Sequence, residues 1–448
     1  MADEEDIADR EALRRVGGLS TELEDVSEVE YRQLRLERVV LVGVWTTGTQ
    51  ESAQRSLEEL ARLAETAGSV VTEGLIQRRA KPDSATYIGS GKAAELRQVV
   101  VVNGADTVVC DGELTPGQLQ QLEKIVKVKV VDRTWLILDI FAQHARSREG
   151  KAQVDLAQMQ YMLPRLRGWG EAMSRQGGGI GTRGPGETKI ETDRRRIRTR
   201  MAKLRRDIAS METARRVARS SRRESSLPSV AIVGYTNAGK SSLLNRLTDA
   251  GVLVHDELFA TLDPTVRRSR TSTGREFTLT DTVGFVRHLP HELVEAFRST
   301  MEEVADADLL LHVVDGSDDA PEEQIAAVRE VLAEVGASGI PELVVVNKSD
   351  VAQTETLIRL RRNEPHIVAV SARTGDGINE LLVAVDSDLP RPTVEVDVIV
   401  EYSRGDLVAR IHREGEVISE THLDHGTRVH ARVSEMLAHE LDEAADGQ

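Results

Sequence analysis

An eight-residue stretch carries the clearest chemical signal in the sequence. GYTNAGKS, residues 234–241, matches the pattern GxxxxGKS and stands between the apolar run VAIV and the helix-like segment SLLNRL. A strand, a loop and a helix in this order are typical of a phosphate-binding loop, whose glycines let backbone N–H groups turn toward phosphate oxygens. In such a loop Lys240 reaches the β- and γ-phosphates, and the Ser241 hydroxyl ligates Mg²⁺. We expect nine residues to line the nucleotide here: Gly234, Tyr235, Thr236, Asn237, Ala238, Gly239, Lys240, Ser241 and Ser242.

A second motif, DTVG at residues 281–284, follows the strand-like segment 276–280. We expect Asp281 to hold the magnesium shell through water and the Gly284 N–H to sense the γ-phosphate. The intervening Thr282 and Val283 belong to the same nucleotide-binding segment. The next residue is Phe285, where many small GTPases place a glutamine that orients the attacking water. Because a phenyl ring cannot align a water molecule, we expect slow hydrolysis until a partner or another loop completes the site.

Two further motifs select the base. NKSD, residues 347–350, ends the strand-like segment 343–346, and SAR, residues 371–373, ends the segment 367–370. The Asp350 carboxylate can accept from both N1–H and the exocyclic amine of guanine, a donor pair that adenine lacks. We expect Asn347 to tie this loop to the phosphate loop and the Lys348 stem to lie along the base. The remaining base-side residues are Ser349, Ser371, Ala372 and Arg373, and this last motif offers a backbone N–H to guanine O6.

The segment LFATLDPT, residues 258–265, is the candidate first switch. Thr261 and Thr265 compete for the role of second magnesium ligand. We choose Thr261, because Phe259 can anchor the loop before it and Pro264 marks its end. Ala260, Leu262 and Asp263 are assigned to the nucleotide site with it. The residues expected to act directly in hydrolysis are Lys240, Thr261 and Gly284.

Upstream, residues 38–132 alternate strand-like and helix-like patterns, which predicts a small α/β domain with a largely parallel sheet. Thr115 followed by Pro116 predicts a helix start. This region also contains GSGK, residues 89–92, which superficially resembles a phosphate loop. Thr86 replaces the first glycine of that pattern and Ala93 replaces its Ser or Thr, so we favour a structural turn over a second nucleotide site.

Residues 146–224 hold 21 lysines and arginines against nine acids, a local net charge of +12 in a chain of net charge −16. Helical segments at 153–166 and 187–223 flank RQGGGIGTRGPGE, residues 175–187, whose glycine density excludes helix and strand. We predict two long helices packed together and joined by a flexible loop. A charge run alone is more often a solvated coiled-coil face. The loop favours a polyanion contact, since Arg175 and Arg183 suit phosphate groups.

Composition and patterning set the remaining limits. The chain has 448 residues with 40% hydrophobic and 29% charged types, which is typical of a globular protein, and a single cysteine, which favours a reducing cytoplasm. The acidic start is unlike a signal peptide, and no apolar run approaches the ~20 residues of a membrane helix. At the other end, residues 394–402, 407–412, 417–422 and 428–433 alternate apolar and polar types, which predicts a β-rich appendage with a helix at 434–443.

The expected fold class is α/β, with five regions along the chain. A P-loop GTPase domain with a mainly parallel sheet is preceded by a small α/β domain and a basic helical hairpin, and is followed by a small α+β domain. The predicted boundaries are an acidic tail at 1–30, the α/β domain at 31–145, the basic arm at 146–225, the GTPase domain at 226–390 and the C-terminal domain at 391–448.

Taken together, GYTNAGKSSL, LFATLDPT, DTVGF, NKSD, SAR and RQGGGIGTRGPGE resemble the HflX family of ribosome-associated GTPases, from about residue 40 to residue 389. The resemblance implies GTP binding and hydrolysis with Mg²⁺. It also implies binding to the large ribosomal subunit near the peptidyl-transferase region and the splitting or rescue of stalled or idle ribosomes, with the glycine-rich loop and the basic helices facing rRNA. We expect a cytoplasmic monomer. The alternative is a regulatory GTPase or scaffold that acts on a protein target, with the basic helices as a solvated coiled coil.

Overall fold

The structure, a computed structural model, describes residues 38–166, 185–224, 227–248, 258–259, 265–286, 298–391 and 393–446. These residues form three separate sheets of four, six and three strands. The predicted acidic tail and most of the glycine-rich segment, including Arg175 and Arg183, lie outside the described residues. Throughout the described ranges, every helix is too short or too polar to cross a lipid bilayer.

The first sheet is fully parallel, with strand order β2-β1-β3-β4, as its alternating strands and helices predicted. Its strands are β1 Arg38–Trp45, β2 Val70–Arg78, β3 Thr107–Asp111 and β4 Lys129–Asp132. Its helices are α1 Gln50–Thr66, α2 Ser90–Asn103, α3 Pro116–Val126 and α4 Arg133–His144. The predicted cap on α3 is confirmed: the Thr115 side chain accepts from the Gln118 N–H, and Pro116 occupies the first helical turn.

Two long helices follow, α5 Arg148–Arg165 and α6 Pro185–Glu224. They pack against each other as predicted, and Arg200 of α6 pairs with Asp155 of α5 at 3.2 Å. The prediction that residues 175–187 contain no helix is wrong for the last three of them, because α6 begins at Pro185. Proline is favoured in the first helical turn, where its missing N–H would have no intrahelical acceptor.

The central sheet has the strand order β10-β9-β8-β5-β7-β6, in which only the edge strand β6 is antiparallel to its neighbour. Its strands are β5 Ser229–Gly234, β6 Thr265–Arg270, β7 Glu276–Asp281, β8 Leu309–Asp315, β9 Glu342–Asn347 and β10 Ile367–Ala369. Its helices are α7 Lys240–Thr248, α8 Arg298–Ala305, α9 Pro321–Glu334, α10 Thr354–Asn363 and α11 Ile378–Asp388. Because parallel strands end at one edge, the four motifs meet there.

The last sheet is antiparallel with strand order β11-β13-β12. It contains β11 Val394–Glu401, β12 Glu416–Leu423 and β13 Gly426–Val433, together with α12 Gly405–Glu414 and α13 Glu435–Asp446. The predicted strand at 407–412 is wrong, since these residues lie within α12. Leu407 and Ile411 are four residues apart and both fully buried, which is the spacing of one helical face.

One apolar core is shared by the first and second sheets. It includes Phe141 of α4 together with Phe259, which lies within the candidate first switch, and Phe285, which follows the DTVG motif. The ring centroids of Phe141 and Phe259 lie 4.6 Å apart in an edge-to-face arrangement. The amino-terminal α/β unit is therefore packed directly against the segments expected to respond to nucleotide.

Candidate functional site

The GxxxxGKS segment forms the loop between β5 and α7, with α7 beginning at Lys240. Its two pattern glycines have positive φ angles, 150° at Gly234 and 91° at Gly239. A Cβ atom at Gly234 would collide with the Val313 carbonyl oxygen, and one at Gly239 would collide with the Asn347 side chain. Both positions therefore require glycine by conformation and by space.

Lys240 is 6% exposed, and its Nζ donates to the Tyr235 carbonyl oxygen at 2.8 Å. Burial lowers the pKa of Lys240 to about 8, while the neighbouring Asp281 carboxylate acts in the opposite direction. The amine also lies 3.1 Å from the place that a Cβ of Gly284 would take. The lysine thus stands between the phosphate loop and the DTVG segment, where a phosphate bound by both would lie.

The Ser241 hydroxyl donates to Oδ2 of Asp281 at 2.7 Å. Asp281 is fully buried at the end of β7. A hydroxyl beside a carboxylate supplies the hard oxygen donors that Mg²⁺ prefers, with water and substrate phosphates completing the shell. The residues present therefore fit a magnesium ion. In the ranges that the structure describes, no cluster of three or more His, Cys, Asp or Glu side chains is suited to a metal ion.

Thr261, our choice for the second magnesium ligand, lies outside the described residues, as do Ala260, Leu262 and Asp263. Its competitor Thr265 is the first residue of β6 and pairs with Asp281 of β7.

Phe259 has the anchoring environment that the sequence suggested. It is 2% exposed, and its N–H donates to the Thr236 hydroxyl at 3.1 Å. The preceding Leu258 N–H donates to the Thr66 hydroxyl of α1 at 3.4 Å. The entry to the first switch is therefore held both by the phosphate loop and by the amino-terminal unit.

The DTVG segment runs beside the phosphate loop. The buried Thr282 hydroxyl donates to the Ile232 carbonyl oxygen at 2.7 Å. Phe285 bridges to Tyr235 in the manner of a parallel strand, with the Thr236 N–H donating to the Phe285 carbonyl oxygen at 2.7 Å. The Phe285 ring is 1% exposed. It therefore belongs to the core and has no role in orienting a water molecule.

The base-side motifs line a cleft of about 440 Å³ beside the phosphate loop. The Asn347 Nδ2 donates to the Ala238 carbonyl oxygen at 2.9 Å, which is the tie to the phosphate loop that the sequence predicted. Its Oδ1 accepts from the Ala372 N–H at 3.0 Å. Lys348 pairs with Asp315 at 2.6 Å. Asn347 thus joins the phosphate loop, β9 and the SAR segment into one unit.

Asp350 accepts from the Ser371 hydroxyl at 2.7 Å and from the Arg373 guanidinium at 2.5 Å. The hydrogen bond from Ser371 is the main cause that lowers the pKa of Asp350, and Arg373 adds to it. The carboxylate is therefore ionised and held in one orientation at the cleft. An ionised, fixed acceptor is what recognition of guanine N1–H and its amine requires.

GSGK, residues 89–92, is the turn that starts α2. Gly89 has φ of 89°, and a Cβ there would lie 2.8 Å from the Arg79 guanidinium, whose Nη1 donates to the Ile88 carbonyl oxygen. Lys92 pairs with Glu95 one turn along the helix. This arrangement agrees with the structural turn favoured from the sequence.

Sequence reasoning missed a link between the phosphate loop and the amino-terminal unit. The Tyr235 hydroxyl donates to Glu59 of α1, which is itself paired with Arg133 at the start of α4. Arg133 directly follows the buried strand β4 and precedes the apolar segment TWLIL. A charged side chain within such a run was the one available signal of a buried partner.

Comparison with known proteins identifies the family. Residues 54–142 match a family described as "GTP-binding GTPase N-terminal", residues 144–222 match "GTP-binding GTPase Middle Region", and residues 229–348 match "50S ribosome-binding GTPase". Among curated relatives, the chain is 44% identical to "GTPase HflX" of Lacrimispora saccharolytica over 95% of this chain and 99% of that protein. It is 43% identical to "GTPase HflX" of Escherichia coli over 84% of this chain and 88% of that protein.

Among solved structures, a GTP-binding protein of Sulfolobus solfataricus in complex with GDP is 26% identical, with a TM-score of 0.41, over 78% of this chain and 98% of that chain. These two HflX relatives match 84–95% of this chain at 43–44% identity, and the GTPase family model matches the segment that contains the phosphate loop. The chain is a guanine-nucleotide-binding GTPase and belongs to the HflX family.

Proposed function

We propose that this GTPase binds the large ribosomal subunit through rRNA in its GTP-bound form, splits or rescues stalled or idle ribosomes, and is released after hydrolysis. The observation that carries the proposal is the charge of the helical arm. Residues 146–224 hold a net charge of +12 within an acidic chain. The name of one matched family, "50S ribosome-binding GTPase", supports the choice of partner.

The described part of α6 presents this charge to solvent. Its exposed cations are Arg195, Arg196, Arg198, Lys203, Arg205 and Arg206. Exposed cations along one long helix suit contacts with several phosphates of folded RNA, and such contacts release counterions. We therefore expect ribosome affinity to fall steeply as salt is raised. Arg175 and Arg183 of the glycine-rich segment are proposed to add RNA contacts.

We propose the following division of roles in hydrolysis. Lys240 binds the β- and γ-phosphate oxygens, and the Gly284 N–H senses the γ-phosphate. Ser241 and Thr261 would hold Mg²⁺, with Asp281 in its outer shell, and the ion would neutralise charge that develops on the phosphates.

On the base side, Asp350 selects guanine. A backbone N–H of the SAR segment donates to guanine O6. Two N–H groups of this segment already have acceptors: the Ser371 N–H donates to the Asp376 carbonyl oxygen, and the Ala372 N–H donates to Oδ1 of Asn347. The Arg373 N–H is therefore our first choice for that donor.

Hydrolysis by the isolated protein should be slow. The buried Phe285 ring supplies no group that orients water, so the ribosome or another loop has to complete the site. A group supplied in this way can raise phosphoryl transfer by ~10³–10⁵-fold. Coupling GTP turnover to ribosome contact would make hydrolysis the release step.

A pair of matched double variants tests the RNA contact. Arg195→Ala with Arg196→Ala removes two adjacent exposed cations from the arm. Arg361→Ala with Arg362→Ala removes a similarly exposed pair from α10, outside the arm. Co-sedimentation with purified large subunits across a salt series should show weaker binding and a shallower salt dependence for the first pair only, with GTP binding unchanged in both.

The loop variant Arg175→Ala with Arg183→Ala should behave like the arm pair. Equal loss of binding in both exposed pairs would indicate a general charge effect. Ribosomal subunits that neither bind the protein nor raise its GTP turnover would favour the alternative function, a regulatory GTPase with a protein target and a solvated helical arm.

A further inference from the structure

A buried charge cluster lies in the amino-terminal unit, formed by Glu59 of α1, Asp111 at the end of β3 and Arg133 at the start of α4. Arg133 is 2% exposed and binds Asp111 at 2.8 Å and also Glu59. Burial alone would lower the pKa of Arg133, but the two carboxylates raise it above its ordinary value. The guanidinium therefore stays charged and fixes the orientation of Glu59.

The second oxygen of Glu59 binds the phosphate loop. The Tyr235 hydroxyl, on the second residue of GxxxxGKS, donates to Oε2 of Glu59 at 2.5 Å. Both residues are 5% exposed, so water does not compete for this bond. A phenylalanine at position 235 would fill almost the same volume, so the hydroxyl adds a specific orientation to ordinary packing.

The backbone of Tyr235 touches both segments that are expected to act on the phosphates. Its carbonyl oxygen accepts from Nζ of Lys240 at 2.8 Å. The backbone of Tyr235 also pairs with that of Phe285 as in a parallel sheet. In this bridge the Phe285 N–H donates to the carbonyl oxygen of the preceding residue, Gly234, at 3.1 Å. The same residue thus links the charge cluster, the phosphate-loop lysine and the end of DTVGF.

We propose that Glu59 and Tyr235 are positioning residues for GTP hydrolysis, through which the buried charge cluster fixes the phosphate loop relative to Lys240 and Gly284. This inference rests on the nucleotide site described under the proposed function. Neither side chain touches the reacting atoms. They act by holding the Tyr235 carbonyl and the Phe285 bridge in place. Groups that are already in position spend the least free energy on reorganisation when the transition state forms.

The energetics favour a positioning role over a purely stabilising one. Replacing a buried ion pair by apolar residues of similar volume is often neutral or stabilising, whereas removing one partner leaves a costly buried charge. Arg133 contacts both Asp111 and Glu59, so the cluster holds the Glu59 carboxylate in one orientation. The hydrogen bond from the Tyr235 hydroxyl to Glu59 connects this cluster to the phosphate loop.

Tyr235→Phe in the full chain tests the proposal. We expect the single-turnover rate of GTP hydrolysis to fall about tenfold, because a buried acceptor loses its donor and the phosphate loop gains freedom. Affinity for a fluorescent GDP analogue should stay within about twofold, since GDP binding does not need the γ-phosphate geometry. A loss of rate without a loss of affinity is a result that mere unfolding would not give.

Two matched controls accompany this variant. Tyr161→Phe removes a hydroxyl from another tyrosine that is 5% exposed and whose ring stacks on Trp135. Arg55→Gln breaks a different ion pair between α1 and the GTPase unit, Arg55–Glu323 at 2.6 Å, on the surface. Both should hydrolyse GTP at the wild-type rate.

The Glu59→Met background, whose side chain has no oxygen to accept from the Tyr235 hydroxyl, completes a double-mutant cycle. With the carboxylate gone, Tyr235→Phe should lower the rate by no more than about twofold further, because the two changes remove one interaction. An unchanged or raised rate in Tyr235→Phe, or fully additive losses in the double variant, would overturn the proposal. Failure of the wild-type protein to bind the fluorescent GDP analogue would instead refute the nucleotide site itself.

Discussion

Gly284 is the position where the smallest chemical change should most affect GTP hydrolysis. A Cβ at this residue would lie 2.8 Å from Cα of Thr236, 2.9 Å from its Cβ and 3.1 Å from Nζ of Lys240. Carbon atoms in ordinary contact are ~3.5–4.0 Å apart. The lysine amine can move aside, but Thr236 Cα is backbone, so the DTVG segment has to move away from the phosphate loop by about 0.7 Å or more.

The size of the effect follows from that displacement. Extra volume in a packed site typically costs ~1–3 kcal/mol, and a 1 Å misplacement of reacting groups can cost ~10²-fold in rate. We therefore expect Gly284→Ala to lower the rate of GTP hydrolysis by roughly 10²-fold. Affinity for GDP should change less than about threefold, because GDP lacks the γ-phosphate that the Gly284 N–H is proposed to sense.

Single-turnover hydrolysis of GTP and titration of a fluorescent GDP analogue measure the two quantities separately. Gly91→Ala is the matched control, because a Cβ at Gly91 in the first turn of α2 would have no atom within 4 Å. It should behave like the wild-type protein in both assays. If Gly284→Ala hydrolyses GTP at the wild-type rate, the close approach of the DTVG segment to the phosphate loop is refuted. If the variant loses both GTP hydrolysis and GDP binding, the role of Gly284 in sensing the γ-phosphate is refuted.

Three other changes probe separate parts of the site. Asp350→Asn should lower GTP affinity by roughly 10²-fold or more and raise affinity for xanthosine triphosphate, whose carbonyl can accept from the new amide. Competition binding measures both affinities. An unchanged preference for GTP over xanthosine triphosphate would contradict base selection by Asp350. Ser241→Ala should raise the magnesium concentration needed for half-maximal GTP turnover by about tenfold or more, while the preference for guanine stays unchanged. A magnesium titration identical to that of the wild-type protein would show that Ser241 is not a metal ligand. Phe259→Ala, which empties the contact with Phe141 in the core, should lower the free energy of unfolding by ~3–5 kcal/mol. Chemical denaturation measures this loss, and a change below about 1 kcal/mol would show that Phe259 does not anchor the switch.

Local sequence patterns predicted the parts of the fold that local physics decides. The four nucleotide motifs lie at strand ends as predicted, because apolar runs precede GxxxxGKS, NKSD and SAR, and the alternating segment EFTLT precedes DTVG. The same reasoning located the helix start at Thr115 and the long basic helices. It failed at 407–412, where alternating types were interpreted as a strand although Leu407 and Ile411 also fit one helical face.

The sequence by itself determined which chemical groups this protein has: a phosphate-loop motif and the NKSD carboxylate, each encoded within a few residues, and the cationic segment 146–224. Only the tertiary structure decided how these parts are held. Tyr235 and Glu59 are 176 residues apart in the chain, and Phe141 meets Phe259 across two sheets. Periodicity tells which side chains are buried but not which distant side chain becomes the partner, because that depends on how whole elements pack.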